Sequence, residues 1–383
     1  MERFTLRRAV EQLRNGLFDP VAVSRLTAEK GRLETALSKG LQALETGSTA
    51  SLCICGSYGQ GKSHALNYLN QLALSKGYAT SVVQLDVREI PFHQFATVYQ
   101  SMIENLSLPD RKSFSTVWTN LANNQSFELI ESMPHRFKMI LKAMLCKNKH
   151  LTQKERSLKK HQGYQPKEYA YWLEKALMGH DIPLARLKSA LKYRDVSGYR
   201  EQSLICRGND PYFQMVQALG HLLKELGYKG LLLFFDEAES IAQGRLRQRV
   251  KSYHLLDRFF EGMPFVFPVF AFTDDFFDKV NQESFDDEKA LFSKNYAKAW
   301  QDLTMLRLQD FSVQEWESLL VNLIQLYAEA YQIDLSMQVK DGLQTLLSKL
   351  QAQETRFKLK ALVNQLDIET QQVLLDASFC LPH

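Results

Sequence analysis

Two patterns of hydrophobic positions alternate along the chain, and each predicts a different kind of element. Short apolar runs bounded by turn residues predict buried parallel strands. Apolar residues spaced three and four positions apart predict helices that bury one face. Five runs of the first kind lie at residues 50–55, 79–86, 231–236, 265–273 and 304–308. Strands separated by helices in this way predict an α/β fold with a parallel five-stranded core.

The first 45 residues are predicted to form a helical arm. Apolar spacing indicates one helix over residues 8–14, which ends at Asn15-Gly16, and a second over about 28–44. Between them, Asp19-Pro20 is predicted to form a turn. Because the arm, residues 1–45, leads directly into the first strand, we expect it to pack near that strand.

Two further regions are predicted to be helical throughout. Residues from about 111 to 210 contain no convincing strand, and we interpret them as a helical insertion in a core that spans residues 46–310. After the fifth strand, Ser312 and Glu315 form a capping box that opens a C-terminal helical lid over residues 311–383. The helices expected in these regions and before the third strand lie at 117–121, 137–145, 169–177, 184–191, 211–226, 316–326, 338–350 and 358–366.

The composition is that of an ordinary globular protein: 45% of the 383 residues are hydrophobic, 23% are charged and the net charge is +4. This small charge neither requires nor excludes a polyanionic partner. No apolar run approaches the length of a membrane span, and residues 1–8 lack the apolar core of a signal peptide. No C-x-x-C motif with partner histidines is present, which argues against a zinc site. We therefore predict a cytoplasmic protein with reduced thiols. Its cysteines are Cys53, Cys55, Cys146, Cys206 and Cys380.

Residues 56–63, with the sequence GSYGQGKS, match the pattern G-x-x-x-x-G-K-S between the first predicted strand and a helix over about 64–74. Such a turn binds anions, because backbone N–H groups and the positive end of the helix dipole face inward. In this phosphate-binding loop (P-loop), Lys62 is predicted to reach the β- and γ-phosphates of a nucleotide, and Ser63 to bind Mg²⁺. The alternative is a chance match in an ordinary strand–helix turn, and the two flanks argue against it. The candidate nucleotide-binding residues of this segment are Gly56, Ser57, Tyr58, Gly59, Gln60, Gly61, Lys62, Ser63 and His64.

Polar side chains at the ends of the third and fourth strands complete the candidate chemistry. Asp236 and Glu237 follow five apolar residues, and a buried strand has no use for two acids at its end unless they face a metal ion and a water. Asp236 is predicted to orient Mg²⁺ and Glu237 to polarise the water that attacks the γ-phosphate. Either acid alone could instead cap a helix. Thr273, at the end of the fourth strand, is predicted to contact the γ-phosphate or the lytic water, and the alternative is a simple strand-ending threonine.

A basic segment lies within the predicted insertion. From Arg136 to Lys160 there are nine lysines and arginines and one acid, Glu155. A charge run of this kind is usually a solvated face, and the other interpretation is a contact with the phosphate backbone of a nucleic acid. The residues proposed for a DNA contact are Arg136, Lys138, Lys142, Lys147, Lys149, Lys159 and Lys160.

The order of these signals resembles the AAA+ branch of P-loop ATPases: the P-loop follows the first strand, the acidic pair the third and a polar residue the fourth. A narrower resemblance, to the BREX-type ATP-binding family, covers most of the chain. It rests on residues 9–16, 56–64, 226–232 with 236–239, and 355–357. Members of that family are bacterial proteins encoded in phage-defence gene clusters.

The resemblance implies ATP and Mg²⁺ as cofactors and other defence-system proteins as partners. Lys62, Ser63, Asp236 and Glu237 carry over as nucleotide and magnesium residues. A helical lid after the fifth strand commonly contributes one arginine to the nucleotide, and Arg356 is the candidate here; the alternative is a surface residue. Thr273 carries over in the same way as a γ-phosphate sensor. The arm would lie where it can contact an adenine ring.

The chain departs from the AAA+ pattern in one respect. Many AAA+ ATPases place an arginine finger between the fourth and fifth strands to complete the site of a neighbouring subunit, and this chain has no arginine between residues 258 and 307. A lysine lacks the bidentate fork of arginine. A finger could come instead from a partner protein or from the basic stretch that follows the acidic pair. Lys294 and Lys298 lie in this gap instead, and the arginines considered from the basic stretch are Arg245, Arg247 and Arg249.

We therefore predict an AAA+-like ATPase, possible as a homo-oligomer, that uses ATP to drive or regulate a defence complex acting on DNA. A first alternative is a nucleotide-gated switch or scaffold with little hydrolysis, which the missing arginine favours. A second is a DNA-binding loader that grips DNA through the basic segment. A small-molecule kinase fits least, since such kinases rarely carry the Asp-Glu pair with so long a helical insertion.

Overall fold

The computed structural model describes residues 3–17, 19–112, 114, 117, 127–146, 166–284, 292, 294–333, 335, 337–350 and 353–379. Within these ranges the protein is a five-stranded, all-parallel sheet in the order β2-β3-β4-β1-β5, with helices around it. The strands are β1 (Leu52–Cys55), β2 (Ala79–Gln84), β3 (Leu231–Asp236), β4 (Val266–Phe272) and β5 (Met305–Arg307). The predicted parallel α/β core is confirmed.

Helices account for most of the described residues outside the sheet, and nearly all the predicted ones are present. Before β3 they are α1 (Arg3–Asn15), α2 (Pro20–Leu26), α3 (Lys30–Glu45), α4 (Lys62–Ser75), α5 (Phe95–Glu104), α6 (Phe127–Ser132), α7 (His135–Leu145), α8 (Pro166–Leu177), α9 (Leu184–Tyr193) and α10 (Asp210–Glu225). After β3 they are the 3₁₀ helix Ala238–Gln243 and α11 (Leu246–Glu261), α12 (Asp275–Ser284), α13 (Tyr296–Ala299), α14 (Val313–Tyr331), α15 (Met337–Lys349) and α16 (Thr355–Phe379). Of the helix predicted at 117–121, only residue 117 lies within the described residues.

The turn predicted at Asp19-Pro20 is wrong, because these residues begin helix α2. The Asp19 carboxylate accepts a hydrogen bond from the backbone N–H of Val21 at 2.8 Å, and Pro20 occupies the first helical position. An aspartate cap followed by proline suits a helix start as well as a turn, because proline needs no N–H there. The last helix also begins earlier than expected, so that Arg356 lies in its first turn rather than before it.

The two faces of the sheet bury alternate residues of the same strands. Leu52 and Ile54 face helices α3 and α4, whereas Cys53 and Cys55 face the aromatic side that packs on α5, α10 and α11. On that side the rings of Phe235 and Phe270 stack with centroids 4.5 Å apart. Burial raises the pKa of the Cys55 thiol to about 11, so this thiol stays protonated. The described cysteines, Cys53, Cys55, Cys146 and Cys206, are free thiols, and Cys380 lies outside the described residues.

The helical insertion shares the hydrophobic core of the sheet. Tyr99 of α5 contacts the rings of Phe137 on α7 and Tyr212 on α10, with centroids 6.0 and 5.7 Å apart. Its hydroxyl donates a hydrogen bond to the Leu177 carbonyl at the end of α8, at 3.1 Å. The described insertion helices are therefore packed on the core through α5 and α10. No helix in the described part of the chain is both long and apolar enough to cross a membrane.

The predicted arm divides between two surfaces. Helix α3 packs on the sheet near β1, as expected, whereas α1 and α2 share a separate hydrophobic cluster with the lid helices α14, α15 and α16. An ion pair strengthens that contact: the Arg14 guanidinium binds the Asp367 carboxylate through Nε at 2.8 Å and Nη2 at 2.7 Å. The Tyr327 hydroxyl donates to the same carboxylate at 2.6 Å. The chain divisions at residues 45/46 and 310/311 stay predictions.

We expect the replacement of Asp367 by alanine to lower the free energy of unfolding by about 2 kcal/mol, since half-buried Arg14 and buried Tyr327 lose a charged acceptor. Urea-induced unfolding measures this change. Asp341→Ala, at an exposed position on α15, is the matched control and should stay within about 0.5 kcal/mol of the wild type. Equal effects from the two substitutions would show that the ion pair does not stabilise the contact between arm and lid.

Candidate nucleotide-binding site

The P-loop connects β1 to the first turn of α4 and is stabilised by its own side chains. Gly59 and Gly61 adopt φ values of +80° and +93°, which residues with a Cβ rarely adopt. The Lys62 ammonium lies inside the loop and donates hydrogen bonds to the carbonyls of Gly56 at 2.9 Å and Ser57 at 3.1 Å. The strand–loop–helix arrangement expected from the motif is therefore present, with the lysine directed back toward the loop.

Two acids that the sequence analysis did not identify hold the outer side of this loop. The Ser57 hydroxyl donates to the Asp274 carboxylate at 3.1 Å, and the Gln60 amide donates to Asp310 at 3.0 Å. Asp274 lies just after β4 and Asp310 lies after β5, the two strands that flank β1. Each acid follows a predicted strand in the sequence. Neither could be assigned to the P-loop from the sequence, because the sequence does not show that β4 and β5 flank β1.

One pocket collects most of the predicted site residues. The N-terminal arm, the P-loop and the lid all line it. The polar residues that line it at the P-loop and just after β3, called its polar end below, are Lys62, Ser63, Asp236, Glu237 and Glu239. Apolar residues of the arm, the lid and the segment after β5 also line it, and they are Leu13, Leu17, Val23, Leu26, Leu33, Leu308, Phe311, Leu319 and Leu359. A cleft lined by both charged and apolar side chains suits a ligand that joins phosphates to an aromatic base. Further predicted residues on its wall are Tyr58, Gly59, Gln60, Gly61, His64 and Arg356.

Thr273 lies close to the P-loop but does not line the pocket. It follows β4, the strand between β1 and β3, and the carbonyl of the preceding Phe272 accepts a hydrogen bond from Gly56 N–H at 3.2 Å. The Thr273 carbonyl accepts from Phe276 N–H at 3.2 Å at the start of α12. Gly56 and Ser57 also lie outside the pocket wall. The position of Thr273 between the two motif strands agrees with a contact to a bound γ-phosphate, which stays a prediction.

The acidic residues at the end of β3 occupy different environments. Asp236 accepts a hydrogen bond from Glu237 N–H at 2.9 Å, and Glu237 has a left-handed backbone with φ of +53°. A non-glycine residue in this conformation carries a strain cost, and such strain clusters at functional sites. The Glu237 side chain is exposed and accepts from the Gln84 amide at 3.4 Å. This contact joins the carboxyl ends of the neighbouring strands β2 and β3.

The lid contacts the P-loop and the arm directly. Glu354, just before α16, covers Gly59 so closely that a Cβ on that glycine would lie 2.7 Å from the Glu354 Oε2 atom. The Arg356 side chain packs beside Gly16, where a Cβ would lie 3.7 Å from its Cγ and Cδ atoms. Because Arg356 and Lys62 line the same pocket from opposite elements, a ligand there would touch both the lid and the core.

His64 ties the P-loop helix to the arm. Its Nε2 atom lies 2.8 Å from the Thr27 hydroxyl oxygen, while the Thr27 hydroxyl donates to the Val23 carbonyl at 2.6 Å. The Thr27 proton is thus already used, so His64 Nε2–H is the donor in the first contact. Burial lowers the pKa of His64 to about 4, which keeps the ring neutral at physiological pH.

We expect His64 to make the protein less stable as the pH falls from about 6.5 to about 4. The pKa of His64 is lower in the folded state than in the unfolded state. Its contribution to the free energy of unfolding is therefore complete above the ordinary histidine pKa. Below that pKa the contribution is lost, by at most about 1.4 kcal/mol per pH unit. Urea unfolding at several pH values, compared between wild type and His64→Gln, isolates this slope. His254→Gln, at an exposed position, is the control. Parallel pH profiles for wild type and His64→Gln would contradict the expectation.

Some of the side chains proposed as an arginine finger, or as a lysine in its place, form ion pairs within the chain. Lys294 binds Asp257 at 2.7 Å and Glu261 at 3.5 Å, and Arg249 binds Glu283 at 2.9 Å. These two side chains serve contacts within the chain. The remaining candidates are exposed, and they are Arg245, Arg247 and Lys298.

The described part of the basic segment is engaged internally. Arg136 donates to the Leu204 carbonyl at 3.2 Å, and Lys138 and Lys142 bind Glu131 at 3.2 and 2.5 Å. The two lysines therefore share one carboxylate, which offsets one of their two positive charges. The remaining residues proposed for DNA lie outside the described residues, and they are Lys147, Lys149, Lys159 and Lys160.

The donor set fits a magnesium ion that arrives with a nucleotide. Among the described residues, no group of three or more His, Cys, Asp or Glu side chains is arranged to bind a metal ion. Mg²⁺ in nucleotide sites typically takes one or two protein ligands and completes its octahedron with phosphates and water. Ser63 and Asp236 line the same pocket and could provide these one or two protein ligands.

Comparisons with known proteins place these features in context. A family model described as "BREX system ATP-binding protein BrxC/D" matches residues 4–120 and 207–377, which leaves out much of the helical insertion. None of the curated proteins matches. Among solved structures, the Walker-type ATPase PABY2304 of Pyrococcus abyssi is similar with a TM-score of 0.37 and 10% identity, over 92% of this chain and 75% of that one.

Proposed function

The chain belongs to the family of BREX system ATP-binding proteins BrxC/D, and from this we propose that it is an Mg²⁺-dependent ATPase of a bacterial anti-phage defence system. One observation carries the proposal: Lys62, Asp236, Glu237 and Arg356 line a single pocket that apolar residues also line. The phosphates would bind at the polar end, and the adenine base would pack against apolar side chains of the arm and the lid.

Each residue has a distinct role in this proposal. Lys62 neutralises the β- and γ-phosphates, and Ser63 and Asp236 hold the magnesium ion that accompanies them. When bound, such an ion would supply positive charge next to the phosphate oxygens. Glu237 accepts a proton from the water that attacks the γ-phosphorus, since its exposed carboxylate stands at the pocket edge.

Nucleotide state would move the lid in an AAA+-like manner. Arg356 belongs to the lid helix α16 and Lys62 to the core helix α4, and both face the same pocket. The γ-phosphate would bridge them, with Thr273 as a further contact, and its loss would release the lid. Because α1 and α2 pack on the lid, this movement would carry these two helices with it, while α3 stays on the sheet. The motion would act on other proteins of the defence system in the cytoplasm, within a complex that acts on DNA.

A nucleotide-gated switch with little hydrolysis is the second candidate. It is favoured by the absence of arginine between residues 258 and 307 and by the commitment of Lys294 to Asp257 and Glu261. An arginine finger contributes about 10³–10⁵ in rate, so turnover without one would be slow. Arg245 and Arg247, or a partner protein, would supply it in the active complex.

The test is ATP turnover across a range of protein concentrations, with and without duplex DNA and with Mg²⁺ or EDTA. Turnover that rises faster than the protein concentration would show that subunits complete each other's sites, as a homo-oligomeric ATPase requires. Near-zero turnover with intact ATP binding would favour the switch. Turnover stimulated by DNA, together with DNA affinity that falls steeply with salt and with Lys159 and Lys160 neutralised, would favour a DNA-binding loader. Absence of ATP binding would refute all three.

A further inference from the structure

A third acid, Glu239, lines the same pocket as Asp236 and Glu237. It lies in the 3₁₀ helix Ala238–Gln243, one turn after the strand end. Its setting differs from that of its neighbours. Glu237 is exposed, whereas the Oε2 atom of Glu239 is buried and has no hydrogen-bond partner among the described residues.

An unpaired carboxylate oxygen in this position is costly. Burying a charged oxygen without a hydrogen bond costs the full desolvation energy of that group, and most buried polar side-chain atoms in proteins have a partner. Burial accordingly raises the pKa of Glu239, and the nearby carboxylates of Glu237 and Asp236 act in the same direction. The buried oxygen of Glu239 is therefore unfavourable in the folded chain unless a hydrogen-bond donor reaches it.

Lys62, whose charge acts on Glu239, does not serve as that donor. Lys62 lowers the pKa of Glu239 through its charge, but its ammonium donates to the carbonyls of Gly56 and Ser57. The unpartnered Oε2 atom of Glu239 therefore needs another hydrogen-bond donor. Water molecules of a magnesium shell are such donors, since Mg²⁺ usually keeps several waters and carboxylates around it accept their hydrogen bonds.

We propose that Glu239 belongs to the magnesium site: in the ATP complex the Oε2 atom of its partly buried carboxylate accepts a hydrogen bond from water bound to the ion, next to Asp236. This inference rests on the proposed ATPase function and deepens it. It divides the acidic segment into two tasks, with Asp236 and Glu239 serving the metal ion and Glu237 serving the lytic water.

Binding of Mn²⁺ together with a non-hydrolysable ATP analogue tests the division of tasks. Electron paramagnetic resonance reports free Mn²⁺, and a fluorescent form of the analogue reports nucleotide affinity with and without metal. For Glu239→Gln we expect Mn²⁺ affinity in the complex to fall about 10-fold or more, as for other residues that orient metal ligands. Affinity for the analogue in EDTA should stay unchanged. Asp236→Asn should behave similarly, while Glu237→Gln should keep wild-type Mn²⁺ affinity.

The outcomes separate the inference from its premise. Wild-type Mn²⁺ affinity in Glu239→Gln with reduced turnover would overturn the inference and assign Glu239 to the lytic water. An equal loss of nucleotide affinity with and without metal would reduce it to a structural residue and also overturn the inference. If wild type binds no analogue at all, the proposed function fails as well. Glu239→Asp keeps the charge at shorter reach, and an intermediate Mn²⁺ affinity there supports the proposal even if the glutamine variant does not fold.

Discussion

Replacing Glu237 by glutamine is expected to lower the turnover number for ATP by about 10²–10⁴-fold while ATP binding persists. Glutamine keeps the size of the side chain and its contact with the Gln84 amide, but it cannot accept a proton from the attacking water. The unusual left-handed backbone at this residue is a property of the turn, so the substitution should leave it in place. The loss should therefore appear in the chemical step alone.

Single-turnover and steady-state phosphate release measure this effect, with equilibrium binding of ATP measured in parallel. Glu317→Gln makes the same chemical change at an exposed position on α14 and should retain wild-type turnover. Turnover in Glu237→Gln within about threefold of wild type would remove Glu237 from the catalytic role, since a general base contributes more than that.

Replacing Lys62 by methionine is expected to weaken ATP binding by about 10²-fold. A hydrogen bond to a charged group contributes about 1.5–3 kcal/mol, and each 1.4 kcal/mol is a factor of ten in affinity. Lys62 is 8% exposed and already placed inside the loop, so only its two bonds to the Gly56 and Ser57 carbonyls need to be exchanged for phosphate. Methionine fills a similar volume without the charge.

Isothermal titration with ATP measures the change, and Lys76→Met provides the control. Lys76 is exposed at the C-terminal end of the same helix, α4, so it tests for an effect of net charge alone. Equal weakening in the two variants would indicate that the P-loop lysine makes no specific contact with phosphate. Lower thermal stability in Lys62→Met alone would identify a structural contribution from its two carbonyl bonds.

Elements that depend on short segments were predictable here. The five strands were located within one or two residues, because their apolar runs are bounded by turn residues and few other segments resemble them. The capping box at Ser312 and Glu315 is present, with the Glu315 carboxylate accepting from Ser312 N–H at 2.7 Å. Helix α2 was missed, since Asp19-Pro20 is consistent with a turn and with a helix start.

Contacts between distant segments were not predictable. Arg14 and Asp367 are 353 positions apart, and no feature of either helix specifies the other as its partner. The basic segment is a second example of an unpredictable contact. Lys138 and Lys142 belong to a charge run that is also typical of nucleic-acid contacts, yet both bind Glu131. Charge in a sequence is visible, whereas its neutralisation depends on which side chains the fold brings near.

The sequence alone therefore determined the five strands, the P-loop and the acidic pair, because strand burial, glycine conformation and the proximity of Asp236 to Glu237 are all local. Only the tertiary structure decided that α1 and α2 pack on the lid, that Arg356 lines the pocket of Lys62, and that the Oε2 atom of Glu239 is buried without a hydrogen-bond partner among the described residues. An amphipathic helix specifies that one face will be buried but not which surface covers it. The strand order and the packing of helices supply that choice, and with it the composition of the site.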